Sequence, residues 1–309
     1  MILEHMQLYF SDRGVFGMKI IDLFNKNKQT VSFEIFPPKL ETPIETIYEK
    51  LGDFALMKPD FISVTYGAGG TKKGRTLEIA SKIKKEHGIE SLAHFTCVGH
   101  SIDEINFMLR KLREEKIENL LALRGDPPVD VPDFDYSRNV FPYASELIRH
   151  IRRQNGFCIG AACYPEGHVH STRIRKDIYY LKLKVDEGVD FLITQLFFDN
   201  RIFYDFMDKI SMVNIKCPVL PGIMPIFKAD QIKRIASMCG ASMPAKLVLL
   251  LDKYGNTPDM QKAGIDYASN QLRDLLDNGV HGIHINTMNN VEATRTILQN
   301  IGLLRVTVP

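Results

Sequence analysis

The sequence predicts an α/β protein, a single (β/α)8 barrel of the TIM type with extra helices before its eighth strand. Three observations support this prediction. Eight short runs are rich in apolar and β-branched residues, and amphipathic segments separate them. The early runs also begin roughly 28 to 39 residues apart, which accommodates one strand, one helix and two loops. Eight such units in succession favour a barrel over a doubly wound sheet.

The predicted strands follow one another along the chain without any linker that would divide it. The gap before the last strand is long, so residues 240–278 are expected to add helices. The strands are predicted at VSFEIF from 31, FISVTY from 61, SLAHFTCV from 91, NLLALRG from 119, CIGAACY from 158, FLITQLFF from 191, PVLPGIMPI from 218 and GIHINTM from 282.

Residues 101–114 illustrate the helical segments. Ser101 and Glu104 have the spacing of a capping box, in which each side chain bonds the other residue's backbone N–H. An apolar stripe at helical spacing follows, formed by Ile102, Ile105, Leu109 and Leu112.

Residues 171–187 form a second amphipathic helix in this prediction, with Gly188 as its stop. A polar stripe of Asp177, Tyr180 and Lys184 runs beside the apolar one. The apolar face consists of Ile174, Ile178, Leu181 and Val185.

Composition limits the class of protein. The 309 residues carry 39 basic and 37 acidic side chains, a net charge of +2, with 45% hydrophobic and 25% charged residues. This balance gives no bulk-charge reason to bind nucleic acid or an anionic membrane, and no apolar run is long enough to span one. The five cysteines are scattered without a C-x-x-C motif, which suits a reducing compartment. We therefore expect a cytoplasmic enzyme.

The N-terminal 17 residues carry little weight in this prediction. They lack the basic-then-apolar layout of a secretory signal, and Met18 offers an alternative initiator. We treat residues 1–17 as an extension of undetermined status and residues 18–309 as one catalytic domain.

Polar residues follow the predicted strands at the carboxyl ends, where barrels of this type place their chemistry. Glu34 lies in the first, otherwise apolar run; burial raises a carboxyl pKa and keeps a general acid protonated. The alternative is a structural Glu34 bound to a neighbouring Arg or Lys. The glycine-rich segment from Thr65 to Thr71 permits close approach of a flat ligand, although a tight βα turn explains it more simply.

The third to sixth strands add further candidates. Arg124 suits a phosphate and Asp126 can accept hydrogen bonds from a heterocycle, although the two can instead form a surface pair. His168 and His170 suggest a metal-dependent hydrolase, but no convincing set of further ligands accompanies them, so we expect no metal. Gln195 offers both a donor and an acceptor for an amide-like ring edge, whereas Phe197 and Phe198 are expected to pack.

Together these segments resemble the methylenetetrahydrofolate reductase family. The combination of F-E-x-F-P-P, L-R-G-D and T-Q-x-F-F-D is highly specific, and the likeness spans roughly residues 31–231. The matching segments are VSFEIFPPK (31–39), SVTYGAGG (63–70), AHFTC (93–97), LALRGDPP (121–128), AACYPEGH (161–168), ITQLFFD (193–199) and PGIMPI (221–226).

The resemblance implies non-covalently bound FAD, NADH or NADPH as electron donor, and ping-pong reduction of 5,10-methylenetetrahydrofolate to the 5-methyl form. It assigns Glu34 as general acid and Asp126 as the acid beside the flavin and pterin. For the substrates it indicates Thr65, Gln195 and Gln231. For FAD it indicates Tyr66, Ala68, His94, Arg124, Gly125, Asp126, Tyr143, Ala144, Tyr164, His168, Asp177 and Lys184.

The chain departs from the family pattern near its end. The family commonly ends its eighth strand Tyr-Thr-Leu-Asn-Arg, whereas this chain reads Asn286-Thr287-Met288-Asn289-Asn290. Ile235 also stands where some members have an aromatic residue. These differences leave open another electron donor supplied through an auxiliary subunit. A pterin-binding barrel that transfers a methyl group without redox chemistry is a further alternative, and a homo-oligomer is expected.

Overall fold

One closed sheet of nine parallel strands forms the framework of the chain. The computed structural model describes residues 18–24, 29–66, 74–127, 131 and 134–305. The strands are β1 (Thr30–Ile35), β2 (Phe61–Val64), β3 (Glu90–Thr96), β4 (Asn119–Leu123), β5 (Cys158–Cys163), β6 (Phe191–Thr194), β7 (Val219–Leu220), β8 (Gly222–Ile223) and β9 (Gly282–Asn286). Their order is β7-β6-β5-β4-β3-β2-β1-β9-β8, and every pairing is parallel.

Strands β7 and β8 are two halves of a single barrel position. Pro221 separates them and has no N–H for the ladder, so β7 pairs with β6 while β8 pairs with β9. The Pro221 carbonyl still accepts a hydrogen bond of 3.0 Å from the His284 N–H. The nine strands thus occupy eight positions, and the predicted (β/α)8 barrel is confirmed.

Helices surround the barrel between the strands. Residues 240–278 contain two of them, as predicted before the last strand. The helices are α1 (Ile20–Phe24), α2 (Glu45–Leu56), α3 (Arg75–His87), α4 (Ile102–Glu114), α5 (Ala144–Arg153), α6 (Ile174–Asp186), α7 (Asn200–Met212), α8 (Ala229–Cys239), α9 (Ala245–Tyr254), α10 (Pro258–Asp277) and α11 (Val291–Asn300).

Helix α4 confirms the predicted capping box and corrects the apolar stripe. The Ser101 hydroxyl accepts from the Glu104 N–H, and the Glu104 carboxylate accepts from the Ser101 N–H. The buried residues are Ile105, Leu109 and Leu112. Ile102, the first residue of the helix, is 36% exposed, so the buried part of the predicted stripe begins at Ile105.

Helix α6 begins three residues later than predicted, after Arg173 in an extended conformation. Ile178 and Leu181 are buried on its inner face. Gly188 has φ of 109°, a conformation that favours glycine and marks the predicted stop.

The amino-terminal end of the barrel is closed by α1. Ile20 is fully buried against an apolar layer that includes Phe61 and Phe191. The Ile20 N–H donates to the Asn119 side chain at 2.8 Å, which holds α1 in place. Helix α1 thus covers the end of the barrel opposite the carboxyl ends of the strands. No helix in the described ranges combines the length and apolarity needed to cross a bilayer.

Candidate active site

A cavity of about 1250 Å³ opens at the carboxyl ends of the strands. This volume exceeds that of a typical pocket for one small ligand, roughly 300–1,000 Å³. Of the residues predicted from the sequence, the cavity wall includes Glu34, Tyr66, His94, Arg124, Gly125, Asp126, Tyr143, Ala144, Tyr164, His168, Asp177, Lys184 and Gln195.

Three predicted residues are not placed on this wall. Thr65 is half-buried, and its carbonyl accepts from the Thr76 hydroxyl at 3.0 Å. Gln231 is half-buried in the first turn of α8. Ala68, with the glycine-rich segment around it, lies outside the described residues.

Strand register places Glu34 among polar partners. Successive strand residues face opposite sides, so Ser32 and Glu34 share one face of β1, and His284 and Asn286 share one face of β9. In the β1–β9 pairing Ser32 is level with His284, and Glu34 is level with Asn286. Two inward-facing pairs therefore meet inside the barrel.

The Glu34 carboxylate has three close neighbours, and the Glu34 side chain is 17% exposed. The Asn286 amide donates to Oε1 at 2.9 Å. The Nε2 atoms of His94 and His284 each lie 3.5 Å from Oε2. In the described part of the chain its ion-pair neighbours are these two histidines, and no Arg or Lys forms an ion pair with it.

These neighbours reverse the direction expected for the Glu34 pKa. Burial acts to raise the pKa of Glu34, but the His284 hydrogen bond and the charges of His94 and His284 outweigh it, so this pKa is lowered. Burial lowers the pKa of His94 to about 4, against the opposing attraction of Glu34. Because His94 is neutral near pH 7, the hydrogen bond from His284 is then the main cause of the lowered Glu34 pKa. The expectation that burial alone raises the Glu34 pKa and keeps it protonated was wrong.

Two buried polar atoms on the cavity wall have no hydrogen-bond partner. They are Nε2 of His94, which is close to Glu34 without hydrogen-bond alignment, and Oγ1 of Thr96. An unpaired buried polar atom costs about 1–3 kcal/mol. A ligand with donors and acceptors along its edge would satisfy both atoms.

The β4 end approaches the cavity through a turn that requires glycine. Gly125 has φ of 92°, and a Cβ there would lie 2.5 Å from Cγ1 of Val98. Its carbonyl accepts from the Tyr136 hydroxyl at 3.4 Å. The Arg124 guanidinium lies 3.8 Å from the centre of the Tyr136 ring rather than in an ion pair with Asp126. Arg124 and Asp126 thus both remain at the cavity.

Helix α6 supplies the opposite wall. The Lys184 ammonium donates to the Ala162 carbonyl, and burial lowers the pKa of Lys184. Burial raises the pKa of Asp177, against a hydrogen bond from the His168 backbone and the charge of Lys184. Burial also raises the pKa of Tyr164 to about 12, so its hydroxyl stays protonated. The predicted polar stripe of α6, including Tyr180, lines the cavity.

His168 and His170 lie near each other, with ring centres 5.3 Å apart. Nδ1 of His168 already accepts from the His170 N–H at 3.2 Å. Within the described ranges, no group of three or more His, Cys, Asp or Glu side chains is arranged to hold a metal ion.

Gln195 lies on the cavity wall, whereas Phe197 and Phe198 pack in the interior. The Gln195 side-chain oxygen accepts from the Leu196 N–H at 2.8 Å, which leaves its NH₂ group free to donate. Phe197 and Phe198 are buried, as predicted. Ile235 packs at the edge of the hydrophobic cluster that contains Phe198, away from the cavity wall.

Comparison with known proteins decides the family. The family model for methylenetetrahydrofolate reductase matches residues 19–302. The chain belongs to the methylenetetrahydrofolate reductase family.

Individual relatives agree with this family. The chain is 35% identical over 303 residues to methylenetetrahydrofolate reductase (NADH) 1 of Arabidopsis thaliana, covering 93% of this chain and 51% of that protein. It is 32% identical over 274 residues to the 5,10-methylenetetrahydrofolate reductase of Escherichia coli K12, covering 88% and 90%. The chain thus spans about half the length of the plant relative and most of the bacterial one.

A solved structure supports the fold. An uncharacterised protein from Clostridium thermocellum, described as binding two copies of 5-methyl-5,6,7,8-tetrahydrofolic acid, superposes with a TM-score of 0.63 at 16% identity. The match covers 93% of this chain and 99% of that one. At this identity the likeness bears on the fold alone.

Sequence reasoning missed the partners of Glu34 inside the barrel. It treated Asn286 only as a departure from the family pattern and did not consider His284 or Ser32. The available signal was the alternation of polar residues, Ser32 with Glu34 and His284 with Asn286, each two positions apart in a predicted strand.

Proposed function

We propose that this chain reduces 5,10-methylenetetrahydrofolate to 5-methyltetrahydrofolate, with FAD bound in the cavity and NADH or NADPH as electron donor. The observation that carries the proposal is the convergence of Glu34, Asp126 and Gln195, from three different strands, on one cavity in a chain of this family. Polar residues gathered at one end of a barrel are typical of an active site.

The cavity wall suits FAD. The unpaired polar atoms of His94 and Thr96 offer hydrogen bonds to the edge of a flavin ring, and Gly125 allows close backbone approach. Arg124 and Lys184 are the cations that would hold the diphosphate. Tyr66, Tyr143, Ala144, Tyr164, His168 and Asp177 would complete the binding site. Bound FAD supplies the ability to store a hydride between two half-reactions.

Glu34 is the proposed proton donor when the five-membered ring of the folate opens to an iminium. Its side chain keeps 17% of its surface exposed to the cavity. Ring systems that fill the cavity remove the remaining water, and desolvation raises the pKa of a carboxyl group. Glu34 would therefore be ionised in the free enzyme and protonated in the folate complex.

The other polar residues would bind and orient the substrates. The exposed Asp126 carboxylate would contact the pterin and disfavour added negative charge nearby, which assists loss of a hydride toward the folate. The free NH₂ group of Gln195 would donate to the folate and the nicotinamide in turn. Thr65 would contact the nicotinamide and Gln231 the folate, although neither residue lies on the cavity wall.

The test separates the two half-reactions. Purified protein is reconstituted with FAD under anaerobic conditions, and its visible spectrum is recorded before and after NADH or NADPH is added. Bleaching by one nucleotide supports the flavin and names the donor. Failure to take up FAD overturns the proposal and favours the pterin barrel without redox chemistry.

Glu34→Gln tests the proton donor in the same assay. Reduction of the flavin by the nucleotide is expected to stay near the wild-type rate, because no proton from Glu34 enters that step. Reoxidation by methylenetetrahydrofolate is expected to fall at least 100-fold, the usual lower range for loss of a general acid, roughly 10²–10⁴-fold. Normal reoxidation would remove Glu34 from the mechanism.

A further inference from the structure

We propose that Asn286 is a positioning residue: it holds the Glu34 carboxylate so that Oε1 remains an acceptor and Oε2 carries the proton. The inference rests on the role proposed above for Glu34. It begins from the strand register, which makes Asn286 and Glu34 level neighbours on the inner face of the barrel.

The orientation of the Asn286 amide is determined by two contacts. Its Nδ2 donates to Glu34 Oε1 at 2.9 Å, and its Oδ1 accepts from the Met288 N–H at 3.3 Å. An amide flipped the other way would set its oxygen against the carboxylate and its NH₂ group against an N–H. Asn286 therefore donates a hydrogen bond to Oε1, and a proton on that oxygen would weaken this bond.

The second carboxylate oxygen faces the imidazoles. Nε2 of His284 lies 3.5 Å from Oε2, and Nδ1 of His284 lies 2.8 Å from the Ser32 hydroxyl. That hydroxyl can donate to Nδ1 or to the Ile283 carbonyl at 3.0 Å, so both tautomers of a neutral His284 have a partner. Nε2–H can donate to Oε2 of the ionised carboxylate, and a bare Nε2 can accept from a proton on Oε2.

The charged surroundings of Glu34 are few. His94 approaches from β3 and His284 from β9; Ser63, level with Glu34 on β2, is uncharged. Among the described residues no other ionisable side chain forms an ion pair with this carboxylate. Removing the Asn286 donor should therefore change the pKa of Glu34 directly, without an intermediate ion pair.

The experiment compares the wild type with Asn286→Leu, which keeps a similar volume and lacks the donor. The carbonyl stretch of protonated Glu34 is followed by infrared difference spectroscopy against pH, with Glu34→Gln identifying the band. A lost hydrogen bond to a charged group corresponds to an upward shift of roughly one to two pKa units. The alkaline limb of the folate half-reaction should move by the same amount, while the nucleotide half-reaction keeps its pH profile.

Asn289→Gly is the matched control. Asn289 lies in the same loop, has φ of 53° and bonds the backbone of Phe36 instead of the carboxylate. Its loss disturbs the loop without removing the Glu34 donor, so the Glu34 band should titrate as in the wild type. If Asn286→Leu does not fold, Asn286→Asp replaces it and should shift the titration upward as well, through like charge.

The outcomes of the two proposals are distinct. An infrared titration unchanged by Asn286 substitution, or shifted equally by Asn289→Gly, overturns the positioning role. Full folate reduction by Glu34→Gln instead overturns the function proposed for Glu34, and the infrared shift then stands as a property of the carboxylate alone.

Discussion

Replacing His94 by Gln should weaken the acid sensitivity of the folded chain. His94 is 8% exposed, and burial lowers its pKa to about 4, whereas histidine in an unfolded chain titrates near 6.5. Between these values the unfolded state binds more protons than the folded state. The free energy of unfolding therefore falls as the pH decreases through this window and is unaffected above it.

The size of the effect follows from the two pKa values. Proton linkage predicts that the free energy of unfolding falls by about 2 kcal/mol between about pH 8 and pH 5. The total loss is about 3 kcal/mol once the pH is below both the folded and the unfolded pKa of His94. Gln is uncharged at every pH and keeps an amide near the position of the imidazole nitrogen. The variant should lack this loss entirely.

Urea unfolding of the wild type and of His94→Gln at about pH 8 and pH 5 measures how much free energy of unfolding each loses on acidification. The comparison is repeated in a Glu34→Gln background, because the lowered pKa of Glu34 makes a separate contribution that disappears as the pH falls further. The wild type should lose about 2 kcal/mol more than the variant on acidification. Equal losses in both would show that His94 becomes protonated in the folded barrel, and the reasoning from burial would fail.

Two further predictions concern the β4 end of the cavity. Gly125→Ala should lower the free energy of unfolding by about 1–3 kcal/mol more than the control Gly88→Ala. Both glycines have positive φ, but only at Gly125 would the new Cβ meet Val98. Denaturant titration measures the two losses, and equal losses would contradict the predicted clash with Val98. Asp126→Asn should retain FAD, measured as flavin content, and slow reoxidation by folate in stopped-flow experiments; unchanged reoxidation would argue against the electrostatic role.

The sequence was sufficient to predict the barrel and the end at which its polar residues gather. Both follow from local patterns: strand-length apolar runs, amphipathic helices and the capping box at Ser101. It could not predict that Pro221 divides the seventh strand between two partners, because that depends on how the barrel closes. Nor could it predict the exposure of Ile102, because burial depends on which part of the helix the rest of the fold covers.

The protonation of the site was decided by tertiary structure. The sequence alone identified Glu34 as a carboxyl group in an apolar strand, and burial by itself predicts a raised pKa. Closure of the barrel brings Asn286 to Glu34 from 252 positions away and sets His284 beside both. The hydrogen bond from His284 and the charges of His94 and His284 reverse the shift of the Glu34 pKa. The energy of a buried charge depends on the groups that the fold places within a few ångströms of it.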